Sequence, residues 1–170
     1  MAAAHDSPPR FVPLPGWKPA EFPRSFGTGR SFVSGETAGD RLIVHYYEEA
    51  DPAVLHALVW FGPGAEGPPG HAHGGGMAAV LDEAMGFSAW HAGHPVVAAT
   101  ITVNFRRKLP LGVVRGVTCR VERVDDRKVY TFGQIYDLQS GAFFTEAEGL
   151  FIIQPLDAFG GPDGPLPGRK

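Results

Sequence analysis

Polar and apolar residues alternate along much of this 170-residue chain. DRLIVHYYEEA (40–50) and AVLHALVWFG (53–62) are two such runs, and the turn dipeptide Asp51-Pro52 between them predicts a strand pair. Beyond position 95 come VVAATITVNFRRKL, VVRGVTCRVERVDD and KVYTFGQIYDLQ, and AFFTEAEGLFIIQ closes the set. The connections Asp125-Asp126-Arg127 and Gln139-Ser140-Gly141 are short and turn-like. The last three strands are therefore expected to form an antiparallel meander.

The segment GGGMAAVLDEAMGFSAWHA interrupts this alternation and predicts a helix from about Gly74 to Ala92, stopped by Gly93-His94-Pro95. Met77, Val80, Leu81, Ala84, Met85 and Ala89 share one broad side, while Ala78, Ala79, Phe87 and Trp90 cover much of the rest. A helix that is apolar nearly all round is buried. One buried helix among several long antiparallel strands predicts an α+β architecture with a sheet wrapped around the helix. Residues 1–28 are too rich in proline for regular structure and read as an extended arm, lying on the domain or partly disordered. The main domain then spans 29–154, and 155–170 read as an irregular tail, mobile at its end.

Composition narrows the function classes. The apolar content of 44% suits a globular protein, and no apolar run reaches the length of a membrane span. The N-terminal MAAAHDSPPRF lacks the apolar stretch of a signal peptide, and the single cysteine, Cys119, allows no internal disulfide. A cytoplasmic protein without a membrane partner is expected. The net charge of −3 argues against a general nucleic-acid binder. It leaves room for a local basic patch, for which RRK at 106–108 and the arginines at 115, 120, 123 and 127 are the material, most of them read as solvated positions.

Two motifs mislead. GPGAEG (62–67) matches GxGxxG, but Pro68-Pro69 prevent a helix from starting within its glycines, as a dinucleotide turn requires. His71-Ala72-His73 lacks the companion ligands of a zinc site. No GxSxG elbow is present, and Cys119 between Val117 and Val121 reads as a packed strand residue.

The stretch GPPGHAHGGGMAAVLDEAMG carries the chemistry. Gly74-Gly75-Gly76 at a helix start expose unpaired N–H groups at the positive end of the macrodipole, a place that binds negative charge. Such a donor stabilises an oxyanion by about 3–4 kcal/mol in well-studied enzymes. His73 can fix the turn or donate a further bond. Alternatively, the glycines only let the helix approach a strand closely. Asp82 and Glu83 are the only acids between Glu66 and Glu122, and a carboxylate in an apolar helix is costly unless paired. One reading makes one of them a base or nucleophile. The other puts Glu83 on a solvent-facing stripe and Asp82 in a structural hydrogen bond. Gly74 and Asp82 lie roughly 12 Å apart along a helix axis, too far to act together on one carbonyl. If they cooperate, a second copy of the helix must run antiparallel nearby, as a two-fold dimer supplies.

HGGGMAAVLDEAMG, with GPPGHA before it and TVNFRRKLPLG after it, resembles the hotdog-fold acyl-CoA thioesterases, in particular the phenylacetate-pathway and thioesterase-superfamily-member group. The resemblance covers roughly residues 40–154. It implies an antiparallel sheet wrapped around one long central helix, paired as homodimers and often as tetramers. It also implies that Asp82 is the general base or nucleophile, that the Gly74 N–H polarises the thioester carbonyl, and that His73 supports the turn. Arg106, Arg107 and Lys108 become candidates for contacting coenzyme A, with Arg107 the weakest because adjacent strand side chains diverge. Gly75 and Glu83 are further candidate substrate contacts.

Two positions depart from the family pattern. Gly67 stands where relatives often carry Asn or Gln, and Ala98 where many carry Ser or Thr. Thr100 and Thr102, on the face alternation assigns to Ala98, are candidate substitutes. The implied activity is hydrolysis of acyl-CoA to a free acid and CoA, without metal or redox cofactor and with CoA only as part of the substrate. Phe87, Trp90 and Met85 are candidate pocket residues or simply core. An enoyl-CoA hydratase is the alternative within the fold, although its acid followed five residues later by histidine is absent. A catalytically silent acyl-CoA-binding module is the alternative outside enzymes.

Overall fold

The computed structural model describes residues 8–21, 31–51 and 54–159. The element order is β1 (Lys18–Pro19), β2 (Leu42–Glu48), β3 (Val54–Phe61), a 3-10 turn (Pro63–Ala65), α1 (Gly74–His91), β4 (Val96–Phe105), β5 (Val114–Asp125), β6 (Lys128–Tyr136), β7 (Phe143–Ile153) and a second 3-10 turn (Leu156–Phe159). The seven strands form one antiparallel sheet in the order β1-β2-β3-β5-β6-β7-β4. The expected β2–β3 pair and the β5–β6–β7 meander are both present, the β5–β6 hairpin turning at Asp126 with φ of 53°.

The helix lies on one face of this sheet. Met77, Val80, Leu81, Ala84, Met85, Phe87, Ser88 and Ala89 are its buried residues. It ends as the sequence predicts: Gly93 takes φ of 91° and its N–H bonds Trp90 O, while His94 N–H bonds Ala89 O. Close approach of helix and sheet is set by a strand glycine. A Cβ at Gly133 on β6 would lie 2.7 Å from Cys119 Sγ, 3.1 Å from Met85 and 3.2 Å from Leu81.

The opposite face is partly covered by the proline-rich arm, of which residues 8–21 are described and 1–7 and 22–30 lie outside the described residues. Lys18–Pro19 adds a two-residue strand to β2, an element that the proline content concealed. Trp17 packs with Tyr47 and Leu58 in a second small core and stacks on His56 at 4.4 Å between ring centroids. Of the C-terminal tail, the last eleven positions lie outside the described residues, and Trp90 contacts Phe159 from the part that is described.

Candidate active site

The residues before α1 are tied to two neighbouring segments. His73 N–H donates to Ala65 O at 2.8 Å, and Ala72 N–H donates to Leu109 O at 2.9 Å. Isolated bridges join Glu66 to Ala72 and His71 to Pro110. The helix start, the 3-10 turn and the loop after β4 therefore form one assembly. His73 is the N-cap, and its Nδ1 accepts the Gly75 N–H at 2.9 Å. The N–H groups of Gly76 and Met77 go to His73 O. Gly74 N–H has no acceptor among the described residues.

This arrangement divides the three glycines. Gly74 presents an open donor, whereas the amide of Gly75 is already engaged by His73 and is not free for a substrate. Packing on a strand does not explain the run. A Cβ on Gly76 would meet Phe61 at an ordinary 3.6 Å, and one on Gly75 would meet only its own cap, His73. One on Gly74 would come 3.3 Å from the tip of Phe105, a half-exposed ring. The helix start borders a cavity of about 1050 Å³, to which His73, Gly75, Gly76 and Ala79 contribute.

The two acids occupy reversed environments from those of the structural reading. Glu83 accepts hydrogen bonds from Ser31 Oγ, from the N–H groups of Val33 and Ser34, and from Tyr46 Oη at 3.0 Å. It is not on a solvent-facing stripe. Asp82 is exposed and has no hydrogen-bond or ion-pair partner among the described residues. Partial desolvation by the surrounding protein nevertheless raises its carboxyl above the ordinary range. Tyr46 is raised well above the usual phenol value, first by burial and then by the Glu83 carboxylate beside it. Adjacent helical residues point about 100° apart, so one acid is enclosed while the next remains open.

On β4 the expected face assignment fails. Ala98 pairs with the buried Phe151, but a register shift follows, and Thr100 pairs with Leu150 and Thr102 with Glu148. Ile101 and Val103 pack against the core that includes α1. Thr100 and Thr102 thus face away from the helix, because one extra residue between Ala98 and Thr100 reverses the alternation. They do not replace a hydroxyl at Ala98. Phe105 ends the strand, after which the N–H groups of Arg106 and Arg107 both turn to Phe144 O. Arg106, Arg107 and Lys108 are exposed beside the helix entrance. Arg106 is paired with Glu146 at 2.9 Å, while Arg107 and Lys108 have no ion pair among the described residues.

Other candidates resolve simply. Met85 and Phe87 are core, and Trp90 is half-buried, donating from Nε1 to Val96 O. None of the three lines the cavity. A side chain at Gly67 would put its Cβ 2.7 Å from His73 Cα, so the family's amide cannot be accommodated without moving this turn. Burial pushes the Cys119 thiol up, consistent with an inert packed residue. Among the described residues no group of three or more His, Cys, Asp or Glu could hold a metal. Ser31 and Tyr46 are site neighbours that sequence reasoning missed. Inward alternation on β2 marks Tyr46, but nothing local connects Ser31 to Glu83.

A family model described as the thioesterase superfamily matches residues 69–143, the stretch that holds the helix start, both acids and the loop after β4. This segment belongs to the thioesterase superfamily. The thioesterase-superfamily segment has a relative in acyl-coenzyme A thioesterase THEM4 of Xenopus laevis, 36% identical over 107 residues, which are 63% of this chain and 48% of that protein. The chain spans about half the length of the curated relatives it matches. A thioesterase superfamily protein of known structure superposes with a TM-score of 0.62 at 30% identity, over 65% of this chain and 53% of the other. A Streptococcus mutans protein whose crystal structure is bound to acetyl CoA shares the fold at a TM-score of 0.61 and 14% identity, over 74% and 92% of the two chains. The architecture is the α+β hotdog fold, one main helix against an antiparallel sheet.

Proposed function

We propose that this protein is an acyl-CoA thioesterase whose active site is shared across a homodimer. The observation that carries the reading is the Gly74 N–H, open at the positive end of α1, with its neighbours His73, Gly75 and Gly76 bordering a cavity. A thioester carbonyl oxygen placed there gains a donor that strengthens as negative charge develops. Asp82, unpartnered and raised by desolvation, either removes a proton from attacking water or attacks the carbonyl carbon itself. In the water route, the carbon–sulfur bond breaks as the tetrahedral intermediate collapses. The CoA sulfur then leaves with the proton that Asp82 took. In the direct route the carbon–sulfur bond breaks as an acyl–Asp82 anhydride forms; water then hydrolyses that anhydride, restoring the Asp82 carboxylate, releasing the acid and giving a proton to the CoA thiolate.

The roughly 12 Å between Gly74 and Asp82 requires the acid of a second copy. Among the described residues β4 is the outermost strand on its side of the sheet and has a free edge. Pairing two such edges about a two-fold axis would set the helices side by side, with tetramers as pairs of these dimers. Arg107 and Lys108, at the mouth of the helix start, would meet the CoA phosphates, with Arg106 held by Glu146. His73 fixes the donor geometry through Gly75. Within this proposal the chemistry takes place in the cytoplasm and uses no metal or redox cofactor, and CoA enters only as part of the substrate.

The test is release of free CoA, followed by thiol titration, from short, medium, long and aromatic acyl-CoAs. Hydrolysis that disappears in Asp82→Ala is expected. No turnover by the wild type on any member would refute the reading.

A further inference from the structure

Residues Ser31–Gly35 form one tight turn, closed by Gly35 N–H donating to Ser31 O at 3.1 Å. A Cβ at position 35 would lie 2.2 Å from that oxygen, so the turn needs glycine there. Its donors converge on a single group. Ser31 Oγ and the N–H groups of Val33, at 3.3 Å, and Ser34, at 3.4 Å, donate to Oε2 of Glu83, and Tyr46 Oη donates to Oε1. Successive amides at the start of a turn make an anion seat, and here a side chain from α1 occupies it.

The turn is also a cavity wall. Val33 is buried in the main core, and Phe32 beside it is 90% exposed. Both border the 1050 Å³ cavity, across from Gly76 and Ala79 of α1. Leu42, Phe61 and Ala65 add apolar lining, which suits a hydrocarbon acyl group. Glu83 itself does not border the cavity, so it reaches the cavity only through the turn it holds.

We propose that Glu83 is a positioning residue for acyl selectivity: by holding the Ser31–Gly35 turn against α1, it fixes the wall that sets acyl length. The inference rests on the thioesterase reading. Steady-state kinetics on CoA thioesters of increasing acyl length, with wild type, Glu83→Ala, Glu83→Gln, Ser31→Ala and the Ser31→Ala/Glu83→Ala double variant, provide the test. Glu83→Ala should change the ratio of kcat/KM between long and short acyl groups by roughly tenfold, mainly through KM, the scale on which a pocket resolves small length differences. Glu83→Gln should restore the wild-type ratio, because its carbonyl oxygen can accept from the turn and its amide can donate to the Tyr46 hydroxyl oxygen.

Ser31→Ala should move the ratio the same way by less and add nothing in the Glu83→Ala background. Amide exchange at Val33 and Ser34 should speed in Glu83→Ala, a readout independent of activity. An equal loss on every acyl group, or a Ser31→Ala effect that adds in full, would overturn the proposal. Should Glu83→Ala fail to fold, an unchanged ratio in Ser31→Ala would overturn it. A wild type that hydrolyses no thioester, with exchange at the turn still dependent on Glu83, would instead sink the thioesterase reading, and the selectivity role with it, while leaving Glu83's hold on the turn intact.

Discussion

Replacing Gly76 with alanine separates two reasons for a glycine at a helix start. Gly76 lies in the first turn of α1 and borders the cavity, and its N–H is already bonded to His73 O. The added methyl would meet Phe61 at 3.6 Å, an ordinary contact that displaces nothing. Alanine also restricts the unfolded chain and favours helix, so the substitution should stabilise by about 0.5–1 kcal/mol. For a chain of this size that is a rise in Tm of roughly 1–4 °C. The same methyl would stand at the cavity wall, two residues along the helix from the open Gly74 donor where the substrate carbonyl is proposed to sit. Thermal denaturation and steady-state CoA release on one preparation provide both numbers. The expected pair is a higher Tm with kcat/KM lowered by roughly tenfold or more, the cost of a small misplacement of reacting groups. A lower Tm would mean that the glycine serves packing. A higher Tm with unchanged kinetics would mean that the cavity at Gly76 is not where the thioester binds.

Three further outcomes follow from the same geometry. Asp82→Asn should abolish turnover yet raise Tm near neutral pH: the raised carboxyl is harder to ionise in the folded protein than in the unfolded chain, so its charge costs stability. That difference should shrink as pH falls through the raised pKa toward the ordinary aspartate range, and a gap widening in acid in paired melts would refute the sign. Gly133→Ala should destabilise by about 1–3 kcal/mol in denaturant titrations, because its Cβ is driven into Cys119, Met85 and Leu81. Adding Cys119→Ala should recover part of this, and full additivity would refute the clash as the cause. Lys108→Glu should raise KM for CoA thioesters several-fold at low salt and less at high salt, with kcat little changed; a KM indifferent to both would remove Lys108 from the CoA path.

The main elements were legible because their patterns are local. Alternation marked β2, β3 and the later strands, and a stretch apolar on nearly all sides marked α1. The ends were less legible. β4 was expected to run through Leu109 but stops at Phe105, because the Arg106 and Arg107 amides both turn to Phe144 O and leave the ladder. The register shift after Ala98 left no trace in AATIT, where two small neighbours fit either face. Counting by twos therefore placed Thr100 and Thr102 wrongly. The two-residue β1 was hidden for a related reason: proline at an edge is tolerated, but it reads as a break.

The acid pair shows where sequence reasoning ends and why the structure matters to function. From the sequence, Asp82 and Glu83 are chemically alike and adjacent, and either can be the working acid. Their difference comes from partners distant in the chain. The Ser31–Gly35 turn and Tyr46 deliver four donors to Glu83, and Asp82 receives none among the described residues. A carboxylate supplied with four donors is held in place, with its oxygens already engaged. A carboxylate without donors, partly desolvated, keeps its basicity and its freedom to meet a substrate. The fold thus separates two neighbouring acids into an anchored group and an open one. It does so with the turn that also walls the cavity, so which acid is left open and the shape of that cavity depend on the same few hydrogen bonds.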